Sequence, residues 1–241
     1  MYNEKHRITY YDLDMAGRMK ISALLRMVHI AADIDATRLG IGFSEMSRLN
    51  MTFILQRFAL RMARMPEYNE VVQLRTWPDS VARGTFLRKG DMRDENGTKI
   101  MEWTSLWILF DTAERKILKP TVLFDAVPEF KEAASGTDYG ILPERIILPD
   151  SCEEFSRYTH TVRFSEVDTN IHMNNSIYGD LINNALGGAK NWREMQLNYT
   201  AETRLDDEID VAAYRDRDTF YVKGVSGERM SFAARVITAG E

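Results

Sequence analysis

The chain is poor in several features that declare a function early. Among its 241 residues there is one cysteine, Cys152, so no internal disulfide can form, and no second Cys or nearby His stands at zinc-ligand spacing. Neither a disulfide framework nor a structural metal is expected, no cofactor is called for, and Cys152 reads as an ordinary linker thiol. No apolar run approaches the roughly 20 residues that cross a bilayer as a helix, so no membrane partner is expected. The start, Met1 to Tyr10, is polar and lacks the charged lead, apolar stretch and cleavage site of a secretory signal; the expected location is cytoplasmic. Basic charge is not in excess either. Lys and Arg number 31 against 36 Asp and Glu, for a net charge of −5, and the basic residues are scattered among acids, which argues against a dedicated nucleic-acid surface. What is present, 44% hydrophobic and 28% charged residues, is ordinary for a globular protein and long enough for one large domain or two small ones.

The chain repeats itself. His6-Arg7-Ile8-Thr9-Tyr10-Tyr11-Asp12-Leu13-Asp14 can be laid over His160-Thr161-Val162-Arg163-Phe164-Ser165-Glu166-Val167-Asp168, every residue 154 positions after its counterpart. The same frame carries Met19 onto Met173 and Ser22 onto Ser176. Farther on, Thr85-Phe86-Leu87-Arg88-Lys89-Gly90 resembles Thr219-Phe220-Tyr221-Val222-Lys223-Gly224 at a spacing of 134, so the second copy is shorter between these anchors, as loops allow.

Both copies follow one pattern of elements. Residues 6 to 12 alternate in the period of a half-buried strand. Ile21, Leu24, Leu25, Val28 and Ala32 then recur at helical spacing to about Arg38, with Gly40 as the stop; Ile177, Leu181, Ile182, Ala185, Ala189 and Trp192 do the same in the second copy. Strand-like runs follow at 52–62, 71–77, 85–93 and 99–110, then at 196–201, 209–214, 219–223 and 229–237. Asp94-Glu95-Asn96-Gly97 and Ser226-Gly227 mark hairpins. One strand, one long helix and an antiparallel meander describe a sheet wrapped around a helix. The expected fold is α+β, a tandem double hotdog. Pro120, Pro128, Pro143 and Pro149, with Ala134-Ser135-Gly136 among them, mark a crossover linker, and its apolar Phe124, Phe130, Ile146 and Ile147 predict that it lies against the domains. The expected division is a first hotdog at 1–119, a linker at 120–157 and a second hotdog at 158–241.

Reactive groups are expected where only one copy carries them. The second copy reads Asp168-Thr169-Asn170-Ile171-His172-Met173-Asn174-Asn175, while the first reads Asp14-Met15-Ala16-Gly17-Arg18-Met19-Lys20-Ile21. Asn170 stands opposite Ala16, and His172 opposite Arg18. If the run stays extended, positions 168, 170 and 172 put a carboxylate, an amide and an imidazole on one face. Asn174 or Asn175 offers an N-cap to the following helix, whose free N–H groups and dipole suit an oxyanion. His172 is one of four histidines; His6 and His160 are paired strand residues and His29 lies within the first helix. Asp168 has Asp14 as its counterpart, which also gives it a structural, turn-forming reading.

These residues resemble the acyl-acyl carrier protein thioesterases of plant plastids and bacteria, in which a second hotdog repeat carries Asp-x-Asn-x-His followed by Asn-Asn at the start of its long helix. Leu197-Asn198-Tyr199-Thr200-Ala201-Glu202-Thr203 is similar to the family's Leu-x-Tyr-x-x-Glu-Cys strand, with Glu202 on the Glu implicated in catalysis. Leu55-Gln56-Arg57 and Arg75-Thr76-Trp77-Pro78 extend the likeness to the first half. The resemblance implies a thioester hydrolase acting on fatty acyl-acyl carrier protein, with Asp168, Asn170, His172 and Glu202 as catalytic residues, Asn174, Asn175 and Thr203 as substrate-binding positions, and acyl carrier protein as partner. Thr203 stands where plant members have Cys, so a cysteine nucleophile is excluded there, and the absence of a transit segment favours a bacterial-type member. Which of Asp168, Glu202 and His172 serves as base or nucleophile stays open.

The first copy, lacking the reactive set, is expected to select the acyl chain through Met27, Met46, Met51, Phe53, Phe58, Trp103 and Trp107, with plain core packing as the competing reading. Arg57, Arg61 and Arg64 are candidates for meeting the acidic carrier. Three other readings fit the same fold: an acyl-coenzyme A thioesterase, a hotdog hydratase or dehydratase, and a non-enzymatic acyl-thioester binding module. An exposed sheet edge makes a homodimer plausible.

Overall fold

The computed structural model describes residues 1–134, 136, 140–149, 151–188 and 191–239. Ser135 of the linker and Ala189, expected in the second helix, lie outside the described residues. The first copy runs β1 (Tyr2–Arg7), a 3-10 turn at Tyr10–Asp12, α1 (Ile21–Arg38), α2 (Phe43–Arg48), β2 (Met51–Met62), β3 (Val71–Ala82), β4 (Thr85–Arg93), β5 (Lys99–Asp111) and β6 (Lys116–Ile117). Helices α3 (Pro120–Ala126) and α4 (Pro128–Ala133) follow. The second copy runs β7 (Glu153–Thr161), a 3-10 turn at Phe164–Glu166, α5 (Ile177–Ala185), β8 (Trp192–Tyr199), β9 (Glu208–Asp216), β10 (Thr219–Ser226) and β11 (Arg229–Thr238).

The strands form one antiparallel sheet in the order β1-β3-β4-β5-β2-β8-β11-β10-β9-β7, with β6 added on β5. Because β8 is the counterpart of β2, the order reads the same from either end. The halves meet where β2 pairs with β8, from Arg57 opposite Asn198 to Arg61 opposite Glu194. The duplication extends to packing detail. Gly90 on β4 lies opposite Trp103 of β5, and Gly224 on β10 opposite Phe232 of β11. A Cβ at either glycine would run into that aromatic ring, so each copy leaves the position bare to let a large side chain cross the strand.

The sheet wraps both long helices. Leu24, Leu25 and Val28 of α1, Leu181 and Ile182 of α5, and Phe58, Leu60, Trp103, Trp192 and Phe232 of the sheet share one buried core. The helices meet at Gly179, where a Cβ would strike the Ser22 backbone, and Ser22 Oγ donates to the Asp180 carboxylate there. A second cluster, Ile41, Met46, Phe86, Leu109, Leu123 and Phe130, packs α2, α3 and α4 onto the first half.

The first helix ends as expected at Arg38, with Gly40 at φ +73°. The hairpin turns are also where the sequence put them, Gly97 at φ +81° and Gly227 at φ +58°, and Asp94 Oδ1 accepts the N–H groups of Asn96 and Thr98 at 3.0 and 2.8 Å. Other expectations need correcting. The opening strand covers residues 2–7 rather than 6–12, because Asp12 Oδ2 takes the Thr9 N–H at 2.8 Å and turns the chain. The second helix stops at Ala185, followed by Gly187 and Gly188 at positive φ, and Trp192 begins β8 instead of ending the helix. The strand expected at 196–201 accordingly runs from Trp192 to Tyr199. The linker carries two short helices, each with a proline at its start, where a missing N–H costs nothing. Phe124 and Phe130 lie against the first half as expected, whereas Ile147 is exposed. The linker backbone just before it is strapped across β8: Gln196 Oε1 accepts the Glu144 N–H at 2.6 Å, and Asn198 Oδ1 accepts that of Ile146 at 2.9 Å.

Candidate active site

Residues 168–172 close into a turn and are not extended, so the one-face arrangement of 168, 170 and 172 is corrected. The Asp168 N–H donates to the His172 carbonyl at 3.0 Å, and the Ile171 N–H donates to the Asp168 carbonyl at 2.9 Å. Asp168 Oδ1 accepts the Asn170 N–H at 2.9 Å, the local bond that lets Asp compete with extended backbone. Its Oδ2 accepts Asn174 Nδ2 at 3.2 Å. Asn174 stands two residues before Ser176, the N-cap of the coming helix, so neither Asn174 nor Asn175 holds the expected cap position; Asn174 Oδ1 instead accepts the Ser176 N–H at 2.9 Å and the Ser176 hydroxyl at 2.7 Å. Asp168 is thus engaged on both oxygens inside the turn.

The turn brings one pair of reactive groups together. His172 Nε2 lies 2.8 Å from Glu202 Oε2, with side-chain exposures of 27% and 55%. Glu202 arrives on the loop between β8 and β9, and that loop is pinned to the turn by the Met173 N–H donating to the Thr203 carbonyl at 2.8 Å. Thr203 itself is 1% exposed, its hydroxyl 3.0 Å from the buried Tyr178 hydroxyl. Burial raises the Tyr178 phenol, with the Thr203 hydrogen bond opposing the shift. Tyr199, partly buried, donates its hydroxyl to the Asn175 carbonyl at 3.0 Å, and desolvation raises its phenol well above the usual range. Thr203, Tyr178 and Tyr199 form a neutral, buried floor under the turn. Asn170 is exposed, and among the described hydrogen bonds its backbone N–H alone is engaged.

The first copy builds the same turn without the pair. The Asp14 N–H donates to the Arg18 carbonyl at 2.8 Å, Gly17 donates to the Asp14 carbonyl at 3.0 Å, and Asp14 Oδ1 accepts the Ala16 N–H at 2.9 Å. The position of Glu202 has a counterpart too. Asn69 and Asp206, 137 residues apart, share a φ of +67°, and their N–H groups donate to the carbonyls of Ile8 and Val162 at 2.8 and 3.0 Å. The same spacing carries Glu202 back to Met65. Where one copy has His and Glu, the other has Arg18 and Met65.

Sequence reasoning missed two things here. Ile171 holds φ +65°, where its counterpart Gly17 holds +73°; the signal was present in the alignment, an isoleucine opposite a turn glycine. The other is the burial of His29 within the first helix, which lowers the imidazole to about 4 and keeps the ring neutral; among the described residues its Nε2 has no hydrogen-bond partner. The residues expected to line an acyl tunnel fall into two sets: Met27, Phe58 and Trp103 are in the main core, while Met46 and the half-buried Met51, Phe53 and Trp107 belong to the second cluster. Arg61 and Arg64 are paired with carboxylates, Arg61 with Glu194 at 2.9 Å and Arg64 with Glu70 at 2.6 Å. Among the described residues no helix is long and apolar enough to cross a membrane.

Residues 1–124 match the family model for the acyl-ACP thioesterase N-terminal domain, and residues 150–234 that for the C-terminal domain. The chain is similar to a chloroplastic palmitoyl-acyl carrier protein thioesterase of Arabidopsis thaliana, 26% identical over 70% of this chain and 43% of that one. It is also similar to a chloroplastic dodecanoyl-[acyl-carrier-protein] hydrolase of Cinnamomum camphora, 26% identical over 76% of this chain and 50% of that one. The chain spans about half the length of these curated relatives. Two solved structures share its fold: an acyl-ACP thioesterase from Bacteroides thetaiotaomicron, with TM-score 0.82 and 22% identity, covering 98% of this chain and 96% of that one, and a 12:0-ACP thioesterase from Umbellularia californica, with TM-score 0.82 and 18% identity over 98% and 96%. The fold is the double hotdog of these structures.

Proposed function

The chain belongs to the acyl-ACP thioesterase family, and from that premise we propose that it hydrolyses fatty acyl-acyl carrier protein to free fatty acid and carrier thiol, ending fatty acid synthesis. The observation that carries this reading is the His172–Glu202 pair, 2.8 Å apart, in one copy of a duplicated fold whose other copy has Arg18 and Met65 in the same places.

In the proposed reaction Glu202, the more exposed of the two, takes a proton from a water whose oxygen bonds to the thioester carbonyl carbon, while His172 holds the carboxylate in orientation. The carbon–sulfur bond then breaks, and the thiolate leaves with the proton returned from the pair. Asn170, exposed two residues before His172, and the N-terminal turn of α5 are the groups assigned to the developing oxyanion. Asp168 and Asn174 hold the turn and act as positioning residues, since their side chains bond each other and the chain. Asn175 and Thr203 contribute shape at the floor of the site through their bonds to Tyr199 and Tyr178.

We assign the chemistry to the second hotdog (158–241) and acyl-chain selection to the first (1–119), joined by the 120–157 linker. Within the first, Met51, Phe53 and Trp107 are half-buried, and to them we assign contact with the acyl chain. A cytoplasmic enzyme of this kind would form its homodimer through an edge strand, β1 or β7.

The test offers purified protein an acyl-carrier protein, an acyl-coenzyme A and an enoyl thioester while free thiol and free fatty acid are measured. The expected result is equal release of both, faster from the carrier protein. Equal rates from both handles favour the coenzyme A reading, and hydration of the enoyl substrate without thiol release overturns the hydrolase.

A further inference from the structure

Ile171 is strained where nothing in the fold requires it. Its φ of +65° belongs to the left-handed region, which is unfavourable for a β-branched side chain because Cβ crowds the following carbonyl. The first copy makes the same turn with Gly17 at φ +73°, and a Cβ built there meets nothing within 4 Å. A glycine therefore suffices for the turn, and no neighbouring group demands a side chain. Nor does Ile171 stabilise the fold by burial, since it is 72% exposed. The strain is kept only in the copy that carries the reactive pair, one residue before His172.

The surroundings indicate what the side chain meets. Phe164, 83% exposed, sits in the 3-10 turn that precedes residue 168, and Leu205, also exposed, follows Glu202 on the loop pinned to Met173. Their sequence neighbours Arg163 and Arg204 are exposed as well. Three apolar side chains and two cations, all exposed, thus lie in the two stretches of chain that carry His172 and Glu202. An acyl chain avoids so exposed a position, because its apolar surface is stabilised by burial. The part of the substrate that stays outside is the handle on the sulfur, whose phosphopantetheine arm joins an apolar stretch to a phosphate and is common to carrier protein and coenzyme A.

Resting on the thioesterase reading above, we propose that Ile171 is a specificity residue that grips the phosphopantetheine arm, its left-handed backbone presenting the side chain beside the His172–Glu202 pair. Phe164 and Leu205 extend the apolar contact.

The test compares wild type with Ile171→Gly, Ile171→Asn and Ile171→Val, measuring Tm, kcat and KM on one acyl chain carried by carrier protein, by coenzyme A and by the truncated handle N-acetylcysteamine. Gly and Asn accept the left-handed backbone, so both variants are expected to match or exceed the wild-type Tm. Their KM should rise about five- to tenfold on both phosphopantetheine handles, the order expected for losing part of an apolar contact, with kcat nearly unchanged and with little effect on the truncated handle. Ile171→Val should keep the wild-type KM. A rise on coenzyme A and carrier protein alike places the contact on the shared arm; a rise on carrier protein alone places it on the protein surface and overturns the proposal. An unchanged KM in Ile171→Gly overturns it too, as does a lower Tm with kcat and KM both impaired, the mark of a structural role. Wild type that releases no thiol from any of the three substrates sinks the thioesterase reading itself, a result separable from the variants.

Discussion

Thr203 stands where the family resemblance implies a cysteine, yet its side chain points inward to Tyr178 and is 1% exposed. Its carbonyl, which any residue supplies, is what ties the Glu202 loop to the His172 turn. Thr203→Ala should therefore keep most of its turnover while losing about 1–3 kcal/mol of stability, because the buried Tyr178 hydroxyl loses a partner; a kinetic assay and a thermal melt on the same sample check this, and a collapse of kcat at unchanged Tm would give the hydroxyl a chemical role instead. At this scale the sequence was legible in residue type and less so in direction. His172, like Asn170, stood out as a group missing from one copy, whereas Glu202 came from the resemblance of Leu197–Thr203 to the family's strand. That Asp168 would spend both oxygens on local bonds was not readable from an alternating pattern, because an Asx turn and an extended strand can be written with the same residues and are told apart only by backbone conformation.

Elements were legible where periodicity was long and punctuated by glycine. Helix α1 and strand β4 ended where the pattern ended, and both hairpin glycines were at their turns. The failures have local causes. Glu153 to Thr159 was passed over as a strand because β7 is an edge strand with an exposed outer row, which weakens hydrophobic alternation. Trp192 fitted a helical period but is the buried first residue of β8, after two glycines that end α5. Helices α3 and α4 were hidden by prolines that start them. The linker is held by side chains too scattered in sequence to see in advance: Asn198 accepts from Ile146 and donates to the Glu144 carbonyl at 2.9 Å. Asn198→Ala removes both bonds at once. It should cost roughly 1–3 kcal/mol and speed proteolysis within residues 140–149, measured by limited digestion; an unchanged cleavage rate would mean the strap does not restrain the segment.

For the whole molecule, duplication sets the architecture and divergence sets the chemistry. The palindromic strand order, the paired glycine–aromatic crossings and the matched turns at Asp14 and Asp168 show two copies built to one plan. Tandem hotdogs were legible because that plan repeats in the same order of elements; Met65 as the partner position of Glu202 was not, since the spacing changes from 154 to 137 between helix and loop and only backbone hydrogen bonds reveal it. The most direct measurement of this division of labour is the turnover of purified His172→Ala on an acyl-carrier protein substrate, with Tm recorded on the same preparation. Both members of the pair are partly exposed, so the fold should be kept while turnover falls at least about tenfold, the low end for loss of acid–base assistance. Near-wild-type turnover in a folded His172→Ala enzyme would contradict the account.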